Sequence, residues 1–567
     1  MSNPSIGGSP AAQARGGKAV TCTSAVGAKN GQAMRRVPPR VRTRSTARAR
    51  ALASVLCALS LVAFRAQPQE APVPPRTTPL ELIEEGDPSV RRFGDGVAAS
   101  GSLLAVAAPT DGDDAWAPGF VSIHRLLWAG RGKVAIVEEA RFSSGLGSEG
   151  EHFGAAVAAS AVQATAHHLA STVSPPFRGD FVAVGADRAN VALPAGPPVP
   201  MAGAVDLLER VPRAAPHWRV AARLSATSPQ PGAEFGGALA FDVGGATRLA
   251  VGSARHDARA GAGEPWVWDA GRVHVFTRHG GAAGGDGAAR WIEAAVIDPP
   301  RPELSGWFGA SVAIDDELLA IGSPGHDVPR LDGAGTISNA GAVFLYRRVE
   351  ADATGSATSP PLERYRLERV LTAPEPEESA WFGLAIALED EAIAIGAPRA
   401  GGTRAEGEPR GAVYHFDLAR PQSHPKRIDP PSERVRTGFG QTLALQRGVL
   451  LIGAPSTDAP PAAAGGPILH DVGGAWIYTL DEGAFNAELV PPRSTSSVLF
   501  GAAASLASPA VGPERTARSE PAARGRPHGA PDAALIAIVG HRYTEEESEI
   551  PSPGAAIYAV PRVRAPP

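Results

Sequence analysis

Carboxylates and tryptophans recur at matching places along this chain. Asp257, Asp327 and Asp458 stand at equivalent offsets after a Gly-Ser or Gly-Ala pair, and Asp111, Asp113 and Asp114 crowd the corresponding stretch near the first such pair. Loop carboxylates do one of two things. Several can gather around a hard cation, which takes roughly six to eight oxygens, or one can accept backbone N–H groups and cap its own loop. Capping is the expectation here, so no metal or other cofactor is assigned; Asp111, Asp113, Asp257, Asp327 and Asp458 are the candidates if calcium binds. Trp116, Trp266 and Trp268 lie in the same stretches. Each is either an anchor packed against its own loop or, with Asp327, part of a ligand platform.

Other chemistry-bearing motifs fail on context. The "RGD" at residues 178–180 stands directly before the strand-like "FVAVGA", where a turn belongs. The "GLGSEG" at residues 145–150 satisfies G-x-G-x-x-G, but it precedes a strand pattern instead of opening a helix, so it is no dinucleotide site. His167 and His168 have no partners at metal-ligand spacing. Neither H-E-x-x-H nor G-x-S-x-G occurs, and no catalytic residues are assigned. The alternative readings are a secreted hydrolase or lyase built from acidic residues of several repeats, and a structural envelope protein without a discrete ligand.

The segments around these residues repeat. "WFGASVAIDDELLAIGSPGHD" at residues 307–327 returns as "WFGLAIALEDEAIAIGAPRAG" at residues 381–401. Each has an aromatic-glycine start, two apolar alternations joined by an acidic turn, and a Gly-Ser/Ala-Pro stop: a β-hairpin. The Phe-Gly start occurs at Phe93, Phe153, Phe235, Phe308, Phe382, Phe439 and Phe500, spaced by 60, 82, 73, 74, 57 and 61 residues. A third strand follows each hairpin, clearest in "GRVHVFTR", "GAVFLYRR" and "GAVYHFDL". A more polar fourth precedes the next Phe-Gly, as in "YRLERVLTAP".

Four antiparallel strands per repeat make a propeller blade, and seven such blades bury their faces against one another in a ring. The last repeat ends at "GAAIYAV" without a fourth strand. Residues 79–94, "PLELIEEGDPSVRRFG", match a fourth strand and its approach to Phe-Gly with no first three strands before them. The chain is therefore expected to be all-β, a seven-bladed propeller over residues 80–560, with residues 80–85 completing the final blade against residues 555–560.

The order Phe-Gly, apolar pair, Gly-Ala-Pro, Gly-Ala-Val-aromatic resembles the FG-GAP repeat, the blade unit of the propeller at the head of integrin alpha chains and of many bacterial surface proteins. Several integrin blades carry an Asp-rich calcium loop between the first two strands. Here those turns read "ASGS", "DDE", "EDE" and "QRG", too short to wrap an ion. The resemblance thus implies the bacterial variant without the calcium loop. It also implies an interaction or adhesion module at a cell surface.

Residues 1–66 contain eleven Lys or Arg and no Asp or Glu, so removing them takes the net charge from −4 to −15. Residues 51–64, "ALASVLCALSLVAF", form an apolar run behind this basic flank, the pattern of a secretory leader. Translation starting at Met34 would give the leader an ordinary basic n-region. Both cysteines, Cys22 and Cys57, fall inside this segment. Residues 67–79 are a Pro-rich spacer, and residues 561–567 a short tail. An acidic mature chain with no basic patch is not expected to bind nucleic acid. Membrane contact is expected only through the leader, and the chain is expected to be a monomer that is exported to the periplasm, cell surface or medium.

If the strands run outward from the axis, the second-to-third and fourth-to-first loops share one face. They are long: residues 187–202, 254–270, 325–340, 399–410, 456–473 and 542–553. Binding usually resides on such loops. The expected function is non-enzymatic binding of a protein or polysaccharide through this long-loop face.

Overall fold

The second strand of each repeat is apolar at both parities, which demands burial on both of its faces. In "LLAIGS", Leu319 and Ile321 join one hydrophobic cluster, with Val273 and Val275 of the preceding repeat. Leu318 and Ala320 join another, with Ile393 and Ile395 of the following repeat. Each repeat is thus a sheet sandwiched between two neighbours.

The computed structural model of the chain describes residues 75–85, 90, 92–109, 119–128, 133–144, 150–161, 179–211, 217–242, 248–259, 261, 263–279, 290–315, 317–349, 363–401, 409–431, 437–459, 468–492, 496–508, 510–511, 535–541 and 553–560. They fall in one compact unit, Ala71–Pro567. Residues 1–66, read above as a leader, lie outside them.

Seven four-stranded antiparallel blades form this unit. Blade 4 shows the plan: Ser311–Asp315 innermost, then Leu318–Ser323, Ala342–Val349 and Arg364–Leu371 at the outer edge. The innermost strands of consecutive blades touch all the way round, and Ala503–Ala507 of blade 7 meets Gly96–Ser100 of blade 1. The ring is closed as the sequence predicts. Glu81–Glu84 pairs antiparallel with Gly554–Ala559, Glu81 opposite Ile557 and Glu84 opposite Gly554.

Two further pairings carry no pattern in the sequence. Arg76–Thr77, inside the stretch read as a spacer, runs parallel to Glu488 and Leu489 at the outer edge of blade 6. The Pro75 carbonyl accepts from Glu488 N at 2.9 Å, and the Thr77 carbonyl from Val490 N at 2.9 Å. Ala510–Val511 similarly joins Leu127 and Trp128 of blade 1 in parallel. Both short segments cover an edge that would otherwise expose unpaired backbone groups.

The repeated Phe-Gly is the joint between blades. Each of the seven phenylalanines is no more than 1% exposed, and each sits in a cluster drawn from two blades. Phe382 N donates to the Ala340 carbonyl of blade 4 at 3.0 Å, while Gly383 N donates to the Gly396 carbonyl of its own blade at 2.9 Å. Gly341 approaches the Phe382 backbone so closely, at φ +89°, that a Cβ would lie 2.1 Å from the Phe382 carbonyl oxygen. A side chain there would part the two blades.

Ion pairs tie the outer strands across the same joints. Glu139 of blade 1 accepts from Arg125 of its own blade at 3.1 Å, and from Arg210 at 3.1 Å and Trp218 Nε1 at 2.9 Å, both of blade 2. Asp180, the acid of the "RGD", completes this network by accepting from Arg125 at 2.7 Å. Burial by itself pushes the Glu139 carboxyl up, but the bonds from Arg125 and Trp218 outweigh it and hold the pKa below the usual range. Burial is likewise outweighed at Glu293, by His274, and at Glu303, by His326. Such carboxyls add stability that is complete above their unfolded pKa of about 4.3 and is lost as pH falls through the folded value. The thermal midpoint should therefore drop as pH is lowered from about 5 towards 3. Glu139→Gln should cost about 1–3 kcal/mol at pH 7 and make that acid limb shallower. An unchanged acid limb in the variant would show that this network does not couple the blades.

Candidate functional site

Four of the long loops are built alike. Each turns back on itself through a short antiparallel pairing: Val191 with Val199, Ala258 with Val267, Val328 with Ile337 and Ala459 with Leu469. A side-chain oxygen then closes the base. Asp257 Oδ1 accepts from Asp269 N at 2.9 Å, Asp327 Oδ1 from Asn339 N at 2.9 Å, and Asp458 Oδ1 from Asp471 N at 3.0 Å. Asn190 does the same for Met201 N at 3.0 Å, so an amide oxygen suffices in blade 2. These are the bonds of a loop cap.

A second set of bonds fixes the loops to the next blade's approach. Gln230, Glu303 and Glu377 each precede a Phe-Gly phenylalanine by five residues. Their side chains accept from Asp257 N at 2.6 Å, Asp327 N at 3.1 Å and Gly401 N at 2.5 Å. The Asp257 and Asp327 loops are therefore fastened twice at their bases.

What this face presents is apolar. Leu193, Met201, Trp266, Trp268, Leu304, Leu331 and Ile468 are all exposed, from 39% for Leu193 to full exposure for Leu331, and all belong to this face. The remaining exposed large apolar residues, such as Val220, Val296 and Leu367, lie on outer strands, except Leu80, which immediately precedes one. Among the described residues none is in the short first-to-second turns. Arg259 lies over the Trp266 ring at 4.0 Å from its centroid.

Closer to the axis, the residue before each Phe-Gly forms a further feature that the repeat pattern did not single out. His152, Glu234, Trp307, Trp381 and Leu499 all adopt positive φ, between 48° and 57°. Bulky residues rarely do so, and the blade joint on either side holds them there. Trp307 and Trp381 meet edge to face at 6.1 Å, and Arg399 lies over Trp381 at 4.3 Å. On the opposite side Arg92 Nη1 stands 3.3 Å from His152 Nε2, and His152 Nδ1 stands 2.9 Å from Asp187. Burial raises the Glu234 pKa; Asp187 and Asp269 reinforce this while Arg255 offsets it. Variation at the position before Phe, within an otherwise constant motif, is the signal that finds these residues.

The structure places the sequence candidates as follows. Asp257, Asp327 and Asp458 are loop caps on three different blades, and it does not bring them together. Trp266 and Trp268 project from one loop, 46% and 59% exposed. Asp111, Asp113, Asp114, Trp116, Arg178, His167, His168 and most of residues 145–150 lie outside the described residues. Among the described residues no group of three or more His, Cys, Asp or Glu side chains is arranged to hold a metal ion. Beside blade 3 a cavity of about 570 Å³ opens between residues 228–230, the 256–266 loop and residues 298–302.

Compared with protein-family models and with curated proteins, the chain matches none.

Proposed function

We propose that the chain is an exported FG-GAP-type propeller that binds an extracellular protein or polysaccharide through its long-loop face, without catalysis. The observation that carries this reading is the concentration of exposed apolar side chains on a face whose loops are clamped at their bases. An apolar surface held out on rigid supports loses little entropy on binding, and large exposed apolar patches mark interaction sites. The leader-like residues 1–66 support export. The two loop-face tryptophans and the axial Trp307–Trp381 pair add the residue type most enriched in binding centres.

The test compares two variants of the full chain. One replaces Leu331, Ile468 and Trp268 by serine; the other alters the short "DDE" and "EDE" turns on the opposite face. Each protein is immobilised and exposed to envelope proteins and polysaccharides of the producing cell. Capture should fall at least tenfold in the loop variant and stay unchanged in the turn variant, with thermal unfolding unchanged in both. Loss confined to the turn variant would assign the function to the other face. An epitope-tagged chain should also appear outside the cytoplasm, and deletion of residues 1–66 should retain it inside.

A further inference from the structure

The cavity beside blade 3 has a defined chemistry. Its base is stapled twice over, since Gln230 Oε1 accepts from Asp257 N at 2.6 Å and Gln230 Nε2 donates to the Asp257 carbonyl at 3.2 Å. Asp257 in turn closes the loop that carries Trp266. Pro299, Pro300 and Pro302 also line it, with their φ angles locked. A site of this kind is pre-organised, with little ordering left to do when a ligand enters.

Two walls carry complementary recognition groups. Trp266 offers an exposed indole whose position is held by Arg259 at 4.0 Å. Facing the same space, Arg272 Nε donates to Asp298 Oδ1 at 2.7 Å, with the Asp298 side chain 52% exposed and that of Arg272 22% exposed. The pair uses one nitrogen and one oxygen on each other. The other guanidinium nitrogens and the second carboxylate oxygen have no protein partner among the described residues.

The result is an acceptor and a donor side by side, in a cavity that an aromatic ring also lines. A carboxylate oxygen accepts one hydroxyl proton while the adjacent guanidinium donates to the neighbouring hydroxyl oxygen, which is the pattern two hydroxyls on adjacent carbons require. The indole matches the C–H face of a sugar ring. The charges balance: Arg259 and Arg272 against Asp257 and Asp298. His256, whose pKa burial and then Arg272 lower to about 4, adds no charge at neutral pH.

We infer that this cavity is a saccharide subsite for a neutral hexopyranoside unit, gripped through a vicinal diol by Arg272 and Asp298 and stacked on Trp266. The inference rests on the binding function proposed above and names the ligand class of one part of that face. A proline-rich peptide would also suit the indole and the proline wall, but it has no adjacent hydroxyls to use the Arg272–Asp298 pair.

The experiment uses the full chain with the methyl glycosides of glucose, galactose, mannose and N-acetylglucosamine, a glucuronic acid glycoside, and a proline-rich decapeptide. Binding is followed by calorimetry and by saturation-transfer NMR. At least one neutral glycoside should bind saturably. Affinity should fall at least tenfold in Trp266→Ala and in Asp298→Asn, and less in Trp266→Phe, with unfolding midpoints unchanged. O-methylation of the diol should abolish binding. Binding of the glucuronide or the peptide alone, binding of none, or neutral-glycoside binding that survives both substitutions would overturn the inference. The Leu331, Ile468 and Trp268 serine variant separates the two readings. If no glycoside binds but envelope capture still depends on those loop tips, the saccharide subsite falls and the binding face stands; if capture is also independent of them, both fall.

Discussion

Replacing Phe308, Phe382 or Phe439 by alanine should lower the unfolding free energy by about 3–5 kcal/mol in each case, the range for emptying a buried phenylalanine site. Phe308 is 1% exposed, and Phe382 and Phe439 are fully buried. The site cannot collapse easily, because each ring is shared by two sheets whose spacing is set by backbone contacts. Phe308 packs against Phe344 and Tyr346 with centroids 5.4 and 6.4 Å away, while its own N–H donates to Ala270 of blade 3 at 3.1 Å. Trp268→Ala, at an exposed side chain of the loop face, should cost about 1 kcal/mol or less. Chemical denaturation of the four variants measures the contrast. If the phenylalanine substitutions cost no more than Trp268→Ala, the blades are not joined through Phe-Gly.

Deleting residues 67–90 should have the larger effect of the two, destabilising the ring more than any single phenylalanine substitution. The deletion strips the fourth strand from blade 7 and so turns Gly554–Ala559 into an exposed edge, although Ile557 and Tyr558 are fully buried in the intact protein. It removes Ile83 from the cluster it shares with Phe93, and uncovers the outer edge of blade 6 where Arg76–Thr77 pairs. Bare strand edges also invite association between molecules. Thermal unfolding and light scattering should show a lower midpoint and aggregation. A rearranged chain in which residues 79–85 follow residue 560 through a short turn should recover the part of the stability that closure of blade 7 supplies, because Glu81 lies opposite Ile557 and this register leaves the two strand ends adjacent. An undisturbed midpoint in the deletion would mean that the ring does not depend on this closure.

Much of the scaffold was legible from residues alone because its signals are local and repeated. An apolar run such as "AIAIGA" must be buried on both faces whatever surrounds it, and seven copies of Phe-Gly in register leave few arrangements besides a ring. Even the closure across the chain's length could be read, since a fourth strand without three predecessors and a blade without its fourth strand have one economical solution. The loop caps at Asp257, Asp327 and Asp458 were legible for the same reason, as one residue type at one offset with one local bond to make.

The functional surface depended on long-range placement, and there the residues alone were insufficient. Arg76–Thr77 and Ala510–Val511 join their blades by backbone pairing, to which Arg76 adds an ion pair with Glu488 at 3.3 Å, and neither segment repeats a pattern found elsewhere in the chain. His152, Glu234, Trp307 and Trp381 look like flanking variation until the blades wrap and set them around the axis. The blade 3 cavity combines residues 228–230, 256–259, 266, 272 and 298–302, and the Arg272–Asp298 pair comes to line it with Trp266 only when the fourth strand of the blade returns to the loop face. Strand formation follows from the order of neighbours in the chain; a binding site follows from which surfaces the closed ring brings within a few ångströms, and tertiary packing alone decides that.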